Sequence, residues 1–79
     1  MTRAVITLSS NISSAMSRLS GLIEGCAYNP EANLLAFRFN NVVVNVESRQ
    51  INISHIEDET IVKTFMDWFL NLINGTNNK

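Results

Sequence analysis

One cysteine, one histidine, one proline and three glycines are all that this 79-residue chain holds of its most specialised residues, and each scarcity closes a route. Cys26 has no second cysteine for an internal disulfide, and with His55 alone it falls short of a structural zinc set. No glycine stands near Ser9-Ser10-Asn11, Ser13 and Ser14, and no lysine follows them, so neither nucleotide fingerprint is present. No serine set between two glycines exists to join His55 in a nucleophile–base pair. The acids sit on helix starts and turns rather than in an apolar cleft that would tune paired carboxylates. An enzyme is not expected.

Clustered charge is missing too. Arg3, Arg18, Arg38, Arg49, Lys63 and Lys79 are scattered, and the formal net charge is −1. Nucleic acid and anionic membranes are recognised by grouped Lys and Arg, so neither is an expected partner. No run reaches the about 20 apolar residues of a membrane span. The first residues lack the basic start and apolar run of a secretory signal, which makes a soluble cytoplasmic protein the expectation. On that expectation the tripeptides Asn11-Ile12-Ser13, Asn52-Ile53-Ser54 and Asn74-Gly75-Thr76 match the glycosylation pattern by chance.

What the chain has in excess is apolar surface near its end. On a helical wheel Thr60, Lys63, Thr64, Asp67, Asn71 and Asn74 form one narrow polar stripe. Ile61, Val62, Phe65, Met66, Trp68, Phe69, Leu70, Leu72 and Ile73 occupy the rest. A helix lying on a sheet needs an apolar arc of about 100 to 140°, and this one offers more. A chain of this size buries only roughly 60 to 65% of its unfolded surface, so association is a natural source of further stability.

The remaining elements follow from spacing. Ala4 to Leu8 reads as a strand. Ser9-Ser10-Asn11 then offers helix caps, and Ile12, Ala15, Met16, Leu19, Leu22, Ile23 and Cys26 fall at helical intervals up to a stop near Gly25. Tyr28 to Asn33 reads as a turn about Pro30. Leu34–Phe39, Val42–Glu47 and Gln50–Ser54 read as strands joined by Asn40-Asn41 and Ser48-Arg49. Two-residue loops at both places set Phe39, Phe37 and Leu35 against Val42, Val44 and Val46, and Val46 and Val44 against Ile51 and Ile53. Every large apolar side chain then shares one sheet face. Glu57-Asp58-Glu59 suits the positive end of a last helix that runs to about Asn74, with Gly75 as its stop and 75–79 as a loose tail.

These elements predict one α+β domain over residues 1–79. Its order is β-α-β-β-β-α, a two-layer sandwich of a four-stranded, mainly antiparallel sheet with both helices on one face. Residues 12–73 share the α-β-β-β-α order of double-stranded RNA-binding domains, but acids stand at the start of the last helix where that family needs lysines, and no kinship is drawn.

Function is then expected to lie in binding. The leading expectation is a non-enzymatic interaction or assembly module, forming a homodimer or docking onto a larger protein. The contact falls on the last helix, with Trp68, Leu72 and Ile61 on one flank or Met66, Leu70 and Ile73 on the other. An unpaired strand edge is a second route. The alternative is a small accessory protein holding a ligand, metal or cofactor near Cys26 and the Tyr28-Asn29-Pro30 turn. The polar side chains Arg38, Asn45 and Asn52 on the opposite sheet face are further candidates. Cys26 continues an apolar stripe at a helix C-terminus, where a thiol is held neutral and inert. His55 with Glu57, Asp58 and Glu59 has ligand chemistry, but neighbours on a helix start diverge, so capping is expected there and neither metal nor cofactor is.

Overall fold

The alternation in residues 34–53 builds the centre of the sheet. In the computed structural model, which describes residues 2–77, β3 (Leu34–Phe39), β4 (Val42–Val46) and β5 (Gln50–Ile56) form an antiparallel meander. The pairs Leu35↔Val46, Phe37↔Val44 and Phe39↔Val42 recur as expected, and so do Val44↔Ile53 and Val46↔Ile51. Asn40 and Asn41 both take positive φ, 47° and 71°, the backbone of a tight primed turn that asparagine tolerates. Ser48 and Arg49 keep negative φ. Their turn is held from outside, since Leu8 N–H donates to the Arg49 carbonyl at 2.7 Å and Ile12 N–H to the Ser48 carbonyl at 2.8 Å.

Among the described residues the sheet has five strands, not four. β1 (Thr2–Thr7) lies beside β5 at one edge, and β2 (Ala27–Asn29) beside β3 at the other, in the order β1-β5-β4-β3-β2. β2 replaces part of the expected turn. Asn29 Oδ1 accepts the N–H of Glu31 at 3.0 Å and of Ala32 at 3.2 Å, and Asn33 closes the loop at φ 57°. The turn therefore begins only at Asn29, which leaves Ala27 and Tyr28 free to pair with Ala36 and Leu35. All neighbouring strands are antiparallel.

One residue corrects the phase of β5. Thr2 pairs with Ile56 but Ala4 with Ile53, so β5 carries one extra residue, and His55 holds a positive φ of 66° there. This bulge lets Ile53 and Ile56 both face the core, where strict alternation would send Ile56 outward.

The first helix is shorter than its periodicity suggested. A 3-10 turn (Ser13–Ala15) leads into α1 (Met16–Leu22). Ile23 is already extended at φ −98°, ψ 115°. Serines and Gly21 weaken this segment, and the Ile12 N–H is tied to the β4–β5 turn while its carbonyl only opens the 3-10 turn, accepting the Ala15 N–H at 2.9 Å. Met16, Leu19 and Ile23 are buried, but Leu22, expected on the same stripe, is 53% exposed.

α2 (Thr60–Asn77) begins after the acids. Asp58 Oδ1 accepts both the N–H and the hydroxyl of Thr60 at 3.0 Å, and the Ile61 N–H bonds the Asp58 carbonyl at 3.0 Å, so Asp58 is the cap. Gly75 does not stop the helix. It has no left-handed backbone there, unlike Gly25 at φ 73°, and α2 continues through it. Residues 78 and 79 of the expected tail lie outside the described residues.

Both helices cover the same sheet face. Met16 and Leu19 of α1 and Phe65 and Phe69 of α2 share one core with Leu35, Phe37, Val42, Val44, Val46, Ile51, Ile53 and Ile56. Among the described residues no polar or charged one is buried.

Candidate functional site

α2 sits on the sheet through Phe65 and Phe69, which are fully buried, and its other apolar residues form two flanks. Trp68 packs at 6.1 Å from Phe37, 5.0 Å from Phe39 and 5.8 Å from Phe65, ring centre to ring centre. Offset and edge-on rings at such distances attract beyond their buried area. The flank with Ile61, Trp68 and Leu72, all half-buried, thus turns toward β3. On the opposite flank Met66 and Ile73 are half-buried and Leu70, between them, is 46% exposed. Lys63 and Asp67 form an ion pair at 3.3 Å on the solvent side, where such pairs add little. Of the six side chains proposed for contact from sequence, only Leu70 is largely open.

The uncovered sheet face carries the polar candidates. Asn45 and Asn52 stand directly opposite one another. With Arg3, Leu34, Glu47 and Ser54 they line a shallow depression of about 360 Å³. Arg38 pairs with Val43 and lies outside that lining. Arg3 and Ser54 were not singled out in sequence; Ser54 shares the open face with Asn52 by parity along β5, and Arg3 arrives there because β1 joins the sheet at β5. The only signal for them is parity along each strand.

Cys26 and Tyr28 are elsewhere. Tyr28 pairs with Leu35 and packs against the core from β2, on the face opposite Asn45 and Asn52. Cys26 is half-buried, with its thiol 3.7 Å from the Ala27 carbonyl that accepts from it. Partial burial pushes this thiol above its ordinary value, opposed by a backbone hydrogen bond at Ala36. The neutral form is favoured, as for an unreactive cysteine. The five ligand candidates do not converge on one place.

A second shallow cleft, about 370 Å³, lies at the start of α2 between Asn40, Asn41, Val42, His55, Glu57, Asp58 and Ile61. Asp58 is already engaged as the cap, and its bonds from the Thr60 N–H and hydroxyl hold its carboxyl below the ordinary carboxylate range. His55 Nδ1 is 3.2 Å from Ser54 Oγ. Among the described residues no three His, Cys, Asp or Glu side chains gather as a metal set. In the serine-rich segment after β1 Asn11 Oδ1 accepts the Ser13 N–H at 2.8 Å, a local turn that occupies the donor.

No helix of the described residues is long and apolar enough to cross a membrane. Comparison with protein-family models, curated proteins and solved structures finds no match to this chain.

Proposed function

We propose that this chain is a small, non-enzymatic cytoplasmic module that docks onto a protein partner through the Met66–Leu70–Ile73 flank of α2. The observation that carries the reading is Leu70, a large apolar side chain 46% exposed on a helix whose other flank is turned into an aromatic cluster. An isolated exposed leucine is ordinary, but this one sits between two partly covered apolar neighbours at helical spacing, the pattern of a helix face laid against another surface. The reading is also supported by the scatter of the polar candidates, which converge on no reacting centre. The partner is another protein, either a larger one or a second copy; nucleic acid and membrane are not part of the proposal.

The test is native co-purification with tagged wild type and two variants, Leu70→Glu and Leu22→Glu, each checked for unchanged thermal unfolding. Leu22 is comparably exposed but lies on α1. Loss of a stoichiometric partner with Leu70→Glu alone supports docking through α2. Identical recovery with all three proteins defeats it.

A further inference from the structure

The two edges of the sheet are built differently. β2 is three residues long and runs into Pro30, and shortness and proline both discourage further pairing. β1 is six residues, Thr-Arg-Ala-Val-Ile-Thr, with no proline or glycine, one charge at Arg3, and Val5 54% exposed. Main-chain geometry tells which of its groups are open. Leu8 N–H bonds Arg49, and an antiparallel ladder alternates bonded and non-bonded pairs. Ile6 and Ala4, opposite Ile51 and Ile53, therefore bond to β5, while the N–H and C=O of Arg3, Val5 and Thr7 point away from the sheet.

We infer that a second copy of this chain pairs with β1 in antiparallel register about a two-fold axis at Val5, joining the two sheets into one. In that register Val5 meets Val5, Arg3 meets Thr7, and Ala4 meets Ile6 on the core side, where both are half-buried. Each strand has three outward N–H groups with three outward carbonyls facing them, which gives about six main-chain hydrogen bonds. Centring on Ala4 sets the Arg3 charge against Val5 and leaves outward groups unmatched; centring on Ile6 pairs Arg3 with Ser9, beyond the strand. Shifts of odd parity turn the core face of one copy to the open face of the other. Charge agrees as well. Arg3 meets an uncharged Thr7, behind which Gln50 and then Glu47 continue the same row of the open face, so no like charges stand opposed and an acid lies across the axis.

The occupant is a second copy because the edge complements itself, and the assembly closes because β2 cannot extend it. A six-residue strand pair is small beside the about 800 Å² per partner of a standard interface, so a micromolar dimer is expected. The inference rests on the reading of the chain as an interaction module, but it places self-association on β1 and leaves α2 for a different protein.

The test is sedimentation across a micromolar concentration series, paired with amide hydrogen exchange. Wild type is expected to dimerise, with Val5 and Thr7 amides protected only as dimer forms and Ala4 and Ile6 amides protected throughout. Val5→Asp, which opposes two carboxylates at the axis, and Val5→Pro, which removes an outward donor, should both give monomers. Asp at an exposed edge position keeps the test intact where proline disturbs folding. A wild type that stays monomeric, or a dimer that survives both changes, overturns the inference. Loss of the dimer with Leu70→Glu instead moves self-association to α2 and overturns it while sparing the docking proposal. A Leu70→Glu protein that still dimerises but loses its other partner supports both.

Discussion

Trp68, Leu72 and Ile61 on one flank of α2 and Met66, Leu70 and Ile73 on the other are equally apolar in sequence, yet they end in different surroundings. The first flank carries an indole onto Phe37 and Phe39 of β3. The second leaves Leu70 nearly half exposed. A helix laid on a sheet is not centred by its own wheel; it rolls toward whichever strand offers the larger side chains, because each buried aromatic contributes more area than an aliphatic. β3 is the strand with two phenylalanines on its inner face. The lesson is that surplus apolar surface cannot be placed until the opposing wall is known.

The difference can be broken most forcefully at its centre. Phe69→Ala removes a fully buried ring from the line dividing the flanks and is expected to cost about 3–5 kcal/mol, close to the whole stability of a domain this small; urea unfolding followed by far-ultraviolet dichroism reads it. Trp68→Ala strikes one flank only. Half-buried, it should cost about 1–3 kcal/mol and narrow the gap between the flanks, with the denaturation midpoint as the measure. Leu70→Glu strikes the other and is expected to move stability by no more than about 0.5 kcal/mol; a loss comparable to that of Trp68→Ala would mean the flanks are equally packed.

The smallest effect concerns the cap that starts both flanks. The Asp58 carboxyl has a lower pKa folded than unfolded, so its contribution is complete above the ordinary carboxylate range and is lost as pH falls through the folded value. Asp58→Asn keeps an acceptor and removes the charge. The stability difference between wild type and this variant should therefore be greatest near neutral pH and shrink on acidification, as urea midpoints at several pH values would reveal. A difference constant with pH would deny the carboxylate that role.

The meander was legible because two independent turns had to agree on one inner face, and Leu35, Phe37, Val44, Val46, Ile51 and Ile53 admit a single register. β2 was not, since three residues are too few to show alternation and its turn depends on the Asn29 side chain. The extent of α1 misled because Ile12 and Cys26 keep helical spacing although they lie outside the helix. Gly75 misled because glycine ends a helix only where the backbone turns left-handed. Of the candidate surface, the excess of apolar residues was visible in α2 but not which flank kept it. Asn45 facing Asn52 followed from parity, and so does Ser54 beside Asn52; the presence of Arg3 required knowing that the first strand pairs with the last.

Loss of His55 alone would change almost nothing that composition or hydropathy could register. It would also place Ile56 two residues after Ile53, so plain alternation would still turn Ile56 inward and only the bulge would be lost. A one-codon deletion here is thus predicted to be less damaging than His55→Val, whose β-branched side chain resists the positive φ of the bulge and, by flattening it with the extra residue still in place, would turn Ile56 toward water.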